Sequence, residues 1–290
     1  MTFDKKQKKI IVASESPHLF TTKRLLNEAQ ALGYQNSWLN PYKYFITNSV
    51  EQLDLSNPKD IYFHRTTGIR YDDFDLIVSK SFSQLGYKIS NPLLGIENFR
   101  DKDKQAFFFS ANQINNIPSI MFRGPLSDDQ WQKVVELSPV QKYILKMSRG
   151  NQGIGVNLIN GAQSLKSLLE TFLALKDQKF LIQPYLEHTR EWRYFVIKNE
   201  IHAIIERSIS NDDFRGNSKR SIGKWIKKSP ADLEESVQKV AQLSGLDYCG
   251  IDILEHNNQL YFIELNSLPG FEQIEELTKI NIARELITKI

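Results

Sequence analysis

The chain has 290 residues, long enough for two or three compact domains, since a single core stops growing at roughly 250–300 residues. Its 37 Lys and Arg against 34 Asp and Glu leave a charge of +3, too slight for the electrostatic footprint of a nucleic-acid-binding protein. One cysteine, Cys249, excludes an internal disulfide and favours a reducing compartment, and no apolar run approaches the roughly 20 residues that span a bilayer. The opening MTFDKKQKKIIVAS has a basic cluster followed by a short apolar run, too brief for a secretory signal. The expectation is a cytoplasmic protein with neither nucleic acid nor membrane as partner.

In chain order, KKIIVAS (8–14) predicts a strand, and Leu25, Leu26, Ala29 and Leu32 fall at helical spacing over 20–32, with Gly33 as a stop. Strands are predicted at 34–39, 60–64 and 74–79 (FDLIVS). This alternation predicts an α/β unit with a parallel sheet, and Asn91-Pro92 marks a turn and a boundary. A helix follows over 100–112 and an extended stretch over 117–122 (IPSIMF). Ser127 with Gln130 forms a capping box for a helix to about 137. YILKMS (143–148) predicts a strand, RGNQGIGV a glycine loop, 162–176 a helix and FLIQPYL (180–186) a strand. WRYFVI and IHAIIERSI form a hairpin about Lys198-Asn199-Glu200. A polar loop is expected over 210–224, with KWIKK (224–228) as a solvated basic run or, in the alternative, a patch that attracts an acidic partner. Then come a helix at 230–244, the strands GIDILE and LYFIELN, and a final helix near 281–289.

The last two strands pose a chemical question. Strand faces alternate with period two, so Ile251, Ile253, Ile263 and Leu265 make an apolar side, and Asp252, Glu264 and Asn266 occupy the other. HNNQ (256–259) is the turn between them, and an odd loop places Asp252 opposite Glu264. Facing carboxylates repel each other and lose hydration on burial. A divalent cation removes both penalties, and carboxylate plus amide oxygen is a ligand set for Mg²⁺, which keeps waters and phosphate oxygens as well. A solvated hairpin face is the plain alternative, so the pattern gains meaning beside a phosphate site. Such a site is offered by KMSRGNQGIGV (146–156), where Gly150, Gly153 and Gly155 let backbone N–H groups approach an anion and Lys146 can meet it. The spacing is neither the Rossmann nor the Walker pattern. The five histidines show no zinc spacing, no Ser-His-Asp or Cys-His set stands out, and Cys249 reads as a small core residue.

FRDK (99–102), ILKMSRGNQGIGV, IIERSISNDDFRGN and GIDILE…FIELNSLPG, in this order, resemble the ATP-grasp ligases, most closely the RimK-type branch, which joins amino acids such as glutamate to an acceptor. The resemblance runs from residue 99 to the C-terminus; the N-terminal third matches through strand–helix order and KRLLNEAQALG. It implies an ATP-grasp fold of mixed α/β and α+β class. An N-terminal parallel-sheet (pre-ATP-grasp) domain would cover 1–92, a central subdomain with a glycine-loop lid 93–186, and a C-terminal subdomain carrying the metal site 187–290.

The resemblance places Lys102 and Lys146 at the phosphates and makes the loop with Gly150, Gln152, Gly153 and Gly155 a lid. Gln183, Pro184 and Tyr185 would form the adenine hinge, with the Pro184 carbonyl and Tyr185 N–H available to the base. Glu191 would hold the ribose, and Arg215 and Asn217 would approach the triphosphate or acyl group. Asp252, Glu264 and Asn266 would hold a pair of Mg²⁺ (or Mn²⁺) ions, and Arg207, Arg193 and Arg220 would face the transferred phosphate and substrate carboxylate. Pro184 stands where the family often has an acid, Glu191 where it often has aspartate, and the stretch between Ile77 and Arg100 is about one helix shorter than in RimK proteins.

The implied activity is ATP-dependent ligation of an amino acid, glutamate foremost, to a peptide, protein tail or small amine through an acylphosphate. A homo-oligomer is common in the family. A kinase on the same scaffold and a nucleotide-binding regulator without turnover are the rivals; among ligases, cofactor or amino-acid-carrier glutamylation are the variants.

Overall fold

The computed structural model describes residues 8–46, 60–68, 72–150, 153, 155–175, 179–188, 190–208 and 222–290. Strands β1 (Lys9–Ala13), β2 (Gln35–Leu39), β3 (Ile61–His64) and β4 (Lys88–Ser90) form a parallel sheet in the order β2-β1-β3-β4. Helix α1 (Phe20–Ala31) links β1 to β2, buries Leu25 and Ala29, and is followed by Gly33 at φ +76°, a conformation that costs glycine little. Helix α2 (Phe74–Gln84) stands where the sequence predicts a strand over 74–79. Its buried residues are Asp75, Val78, Ser79 and Phe82, the positions i, i+3, i+4 and i+7 of one helical face. Two of those four are polar, so the helical period is hidden within the short apolar run. The three-residue β4 is too short to leave a sequence signal.

Helices α3 (Leu93–Phe99) and α4 (Lys102–Ala111) lead to a second sheet, with α3 unforeseen between Pro92 and Arg100. Strands β5 (Ile120–Arg123), β6 (Lys142–Met147), β7 (Val156–Asn160) and β8 (Lys179–Pro184) pair antiparallel in the order β5-β8-β6-β7. Helices α5 (Asp128–Leu137) and α6 (Ala162–Leu175) accompany them, and α5 starts on the expected capping box, with Ser127 and Gln130 each bonded to the other's backbone. Val134, Tyr143, Leu145, Leu165 and Phe180 form the core of this unit.

The third sheet is antiparallel, built from β9 (Arg190–Ile197), β10 (Glu200–Ser208), β11 (Ile222–Ile226), β12 (Tyr248–His256) and β13 (Gln259–Asn266) in the order β11-β10-β9-β12-β13. Most of the expected polar loop over 210–224 lies outside the described residues, and β11 corrects its last part: KWIKK belongs partly to an edge strand, where Lys224 faces Glu206 and Ile226 packs on the core. A five-residue edge strand with one paired neighbour, followed at once by two lysines, escapes notice in the sequence. Helix α7 (Ala231–Ser244) packs Leu233, Val237 and Val240 on one side of the sheet, together with Phe109 of α4. Helices α8 (Glu272–Thr278), unforeseen, and α9 (Ile282–Lys289) close the chain.

The opposite side of this sheet carries Phe195, Ile197, Ala203, Ile205 and Tyr248. It shares one core with α9 and with Ile10, Val12, Leu25 and Phe63 of the first sheet. Asn91 pins the two units together: its side chain accepts from the Tyr248 N–H at 3.0 Å and donates to the Tyr248 carbonyl at 2.7 Å. Among the described residues no helix is long and apolar enough to cross a membrane.

Candidate active site

The face of the third sheet that packs on the first is apolar at one end and charged at the other. Directly opposed strand residues share a face. Arg207 faces Glu191, Arg193 faces Asp252, and Asp252 faces Glu264, so four strands contribute one charged surface. This surface is one wall of a cleft of about 850 Å³. The wall from the second sheet supplies Ile144, Lys146, Leu181 and Gln183, and the start of α4 supplies Lys102.

The Asp252–Glu264 pairing exists, but its cause differs from the one expected. The β12–β13 turn has two central residues, Asn257 and Asn258, at φ +50° and +60°, a type of turn that matches strand twist. Such an even loop alone would put Asp252 opposite Ile263. A register shift between Asp252 and Ile253 leaves Ile263 without a cross-strand partner, and this bulge restores the opposition of Asp252 and Glu264. It also corrects the apolar set: Ile251, Ile253, Phe262 and Leu265 pack on the helices, whereas Ile263 lines the cleft.

Asp252 is nearly fully buried and both its oxygens are engaged. Arg193 Nε donates to Oδ1 at 2.6 Å and Nη2 to Oδ2 at 2.5 Å. Burial works against the Arg193 charge, but Asp252 outweighs it and the guanidinium pKa is raised. Glu264 is less constrained, with Lys102 Nζ at 3.9 Å. Asn266, one strand repeat further on, lines the same cleft. Arg207 Nη2 donates to Gln273 at 3.2 Å; burial, then the like charge of Arg193, push its pKa down to about 10.

Lys102 and Lys146 converge from α4 and β6. The Lys102 backbone N–H donates to the Ser148 carbonyl at 2.8 Å and its ammonium to the Gly150 carbonyl at 3.2 Å, tying α4 to the stem of the glycine loop. Lys146 has no hydrogen-bond acceptor among the described residues. Its desolvation, only partly offset by Glu264, pushes the ammonium down to about 8. Gly150 and Gly153 line the cleft. Gly155 does not; at φ +77° it sits in the hairpin stem, its carbonyl accepting from the Met147 N–H at 2.9 Å.

Gln183, Pro184 and Tyr185 line the cleft at the end of β8. The Tyr185 N–H, expected to be available, instead donates to the Lys142 carbonyl at 2.9 Å as the last rung between β8 and β6. The next N–H along the chain, that of Leu186, makes no hydrogen bond among the described residues, and Leu186 lines the cleft. Glu191 accepts from His188 Nε2 at 2.9 Å, and the Leu186 carbonyl is 2.7 Å from His188 Nδ1. Burial opposes the imidazolium, but these acceptors prevail and the His188 pKa is raised. Sequence reasoning missed His188, because one histidine three residues before a glutamate carries no spacing signal. It also missed Gln105, whose Oε1 accepts from the Leu265 N–H at 2.9 Å and fixes β13 to α4. Gln152, Arg215, Asn217 and Arg220 lie outside the described residues.

A nucleotide-sized cleft between two antiparallel sheets, with lysines on one wall and acids on the other, has counterparts of known fold. The chain is similar to D-alanine–D-alanine ligase from Bacillus anthracis, with a TM-score of 0.70 at 17% identity, covering 98% of this chain and 95% of that one. It is similar to the D-cycloserine synthetase DcsG, with a TM-score of 0.75 at 13% identity over 97% of this chain and 98% of that one. The ATP-grasp ligase PsnB complexed with its minimal precursor gives 0.71 at 16% identity over 97% and 98%. The fold is therefore that of the ATP-grasp proteins.

The RimK-like ATP-grasp domain matches residues 100–290, and the chain belongs to that family, whose members are ATP-using ligases. Its curated relatives include probable alpha-L-glutamate ligase 1 of Shewanella denitrificans, 28% identical over 287 residues, 96% of each chain. Another is the probable alpha-L-glutamate ligase of Coxiella burnetii, 30% identical over 293 residues, 96% of this chain and 94% of that one.

Proposed function

We propose that this enzyme is a carboxylate–amine ligase that uses ATP to add an amino acid, L-glutamate foremost, to a peptide or protein acceptor. The observation that carries the reading is the meeting, in one cleft, of the partly buried Lys146, whose ammonium has no hydrogen-bond acceptor among the described residues, with the opposed carboxylates of Asp252 and Glu264. The desolvated ammonium favours an anion, and the carboxylates, with Asp252 clasped by Arg193 and Glu264 only loosely approached by Lys102, still offer oxygen lone pairs to a cation. A metal–triphosphate satisfies both.

The adenine ring fits between Ile117, Ile144, Leu181 and Leu254, with the Leu186 N–H as edge donor. Glu191, oriented by His188, accepts from the ribose hydroxyls. Lys102, Lys146 and the backbone at Gly150 and Gly153 meet the phosphates. The donor set of Glu264, Asn266 and the outer lone pairs of Asp252 fits a hard divalent cation. Mg²⁺ bound there would offset the charge on the phosphate oxygens.

A substrate carboxylate oxygen attacks the γ-phosphorus, the bond to the bridging oxygen breaks, and ADP leaves an acylphosphate. Arg207, held against Gln273, faces the charge on the transferred group. The neutral amine of the second substrate then attacks the acyl carbon, phosphate departs with the bonding pair, and the amine's extra proton passes to solvent. The enzyme acts by positioning and charge neutralisation, with no covalent enzyme intermediate. The chain's slight basic excess suits an acidic acceptor tail.

The test incubates the enzyme with ATP, Mg²⁺, L-glutamate and a library of peptides with acidic C-termini, followed by mass spectrometry. One ADP per added glutamyl residue is expected. A peptide that gains phosphate instead would make the protein a kinase.

A further inference from the structure

The cleft has a second end, beyond the nucleotide and metal residues, walled by Phe20, Arg65, Thr67, Leu268 and Pro269. It lies where the order of the parallel sheet reverses. From β1 the chain runs through α1 to β2 on one side, and β3 lies on the other. In open parallel sheets the crevice beyond the carboxyl ends of two such strands is where ligands bind. Arg65 is the first residue after β3, and its N–H donates at 2.8 Å to the carbonyl of Ala13, the last residue of β1. Its side chain therefore departs from the mouth of that crevice.

The Arg65 guanidinium is held only by neutral oxygens. Nη1 donates to the Tyr248 hydroxyl at 3.1 Å, and Nη2 donates to the carbonyls of Leu268 at 3.3 Å and Pro269 at 3.0 Å. Its Nε is buried and has no acceptor among the described residues. No carboxylate pairs with it among the described residues, in contrast to Arg193 with Asp252 and Arg100 with Asp75. A half-buried guanidinium, fixed in orientation and with no carboxylate beside it among the described residues, keeps one Nη1 N–H to donate to an anion such as a carboxylate oxygen, while its charge favours the anion from close by. Leu268 and Pro269 follow Asn266 by two and three residues, so this charge stands on the order of 10 Å from the metal-side acids. A small amino acid spans that gap.

We propose that Arg65 anchors the α-carboxylate of the amino acid whose amine attacks the activated acyl group, an inference that rests on the ligase reading above. The α-carboxylate is one carbon from the amine, so holding it aims the nucleophile; a side-chain carboxylate leaves the amine free to turn. The sheet switch point thus supplies the second-substrate site, and the bonds to Leu268 and Pro269 keep it in register with the metal-binding strand.

The experiment titrates L-glutamate, L-glutamine and 4-aminobutyrate calorimetrically into the full chain loaded with Mg²⁺ and a non-hydrolysable ATP analogue. The wild type, Arg65→Lys and Arg65→Met are compared. Glutamate and glutamine should each bind at least about tenfold more weakly to Arg65→Met, with partial recovery in Arg65→Lys. 4-Aminobutyrate, which lacks the α-carboxylate, should show no dependence on Arg65. Hydrogen exchange on the wild type, where glutamate should protect residues 65–68, is independent of how the variants fold. Equal glutamate affinity in wild type and Arg65→Met, absence of protection at 65–68, or a wild type that binds none of the proteinogenic amino acids would each overturn the inference. So would an Arg65 dependence that follows the side-chain carboxylate. Failure of the ligase reading looks different: Arg65-dependent amino-acid binding with no amide product from any acceptor.

Discussion

Lys146 and Glu264 are the residues on which the chemistry is best tested. With its ammonium at about 8 in the free protein, Lys146 titrates near physiological pH. Bound phosphate favours the charged form and raises that value, so affinity for an ATP analogue should fall as pH rises above about 8, and Lys146→Met should be weaker and lose this dependence in calorimetric titrations. The stability sign is the reverse. The folded pKa lies below the unfolded value of roughly 10.4, so this group's contribution to stability of the free protein improves as pH rises from about 8 to 10. Among the described residues the Glu264 carboxylate makes one ion pair, with Lys102 at 3.9 Å, so Glu264→Gln should abolish turnover with unfolding free energy changed by less than about 1 kcal/mol. Asp252 is not equivalent. Asp252→Ala would strand the Arg193 guanidinium without its bidentate partner, at a cost of about 3–5 kcal/mol, which denaturant unfolding would register alongside lost activity.

Among the elements, the β12–β13 hairpin shows how an extra residue is absorbed without moving the site. Deleting Ile263 removes the bulge and leaves a regular ladder in which Ile253 still opposes Phe262 and Asp252 still opposes Glu264. The expected result is a folded protein that keeps Mg²⁺-dependent nucleotide binding, checked by calorimetry with and without the metal. The glycine loop makes a second case. A Cβ on Gly155 would sit 3.2 Å from the Met147 sulfur on a backbone at φ +77°. Gly155→Ala should therefore cost about 1–2 kcal/mol and raise KM for ATP more than it lowers kcat, because the strain falls on the stem of the loop. Helix α2, which sequence reasoning misread as a strand, shows one cause of such errors. Helix α2 buries Asp75 and Ser79 beside its apolar residues. The Asp75 carboxylate is paired with Arg100 at 2.6 Å and held well below the usual carboxylate range by its partners His64 and Arg100 against the opposing effect of burial. A buried face satisfied by distant partners does not look buried in a hydropathy pattern.

For the whole molecule, the decisive feature is the core shared between the first and third sheets. Ile282, Leu286 and Ile287 of α9 are fully buried in it, against Leu25 and Ala29 of α1. Arg24 and Glu28 of α1 bond to Glu275, Asn281 and Arg284 across the same contact. Truncation after Asn281 removes three large side chains, each contributing about 1.5–3 kcal/mol, a sum comparable with the stability of an ordinary domain. The truncated chain should expose its first sheet, bind a hydrophobic dye and lose cooperative unfolding. The C-terminal helix is thus a structural clasp for the N-terminal unit.

The sequence by itself determined the blocks that identify the family, most of the strand and helix order, and the lysines, hinge and acidic strand pair that the cleft brings together. These are legible because they depend on local period, on turn chemistry and on residue types at fixed spacing. Only the tertiary structure decided that Asp252 is clasped by Arg193, that His188 orients Glu191, that the Tyr185 N–H is already taken, and that Arg65 faces the cleft with no counter-ion among the described residues. Each of these is a contact between residues that folding brings together or a bond completed by a neighbouring strand, and a one-dimensional pattern does not record which side chain will stand across the sheet.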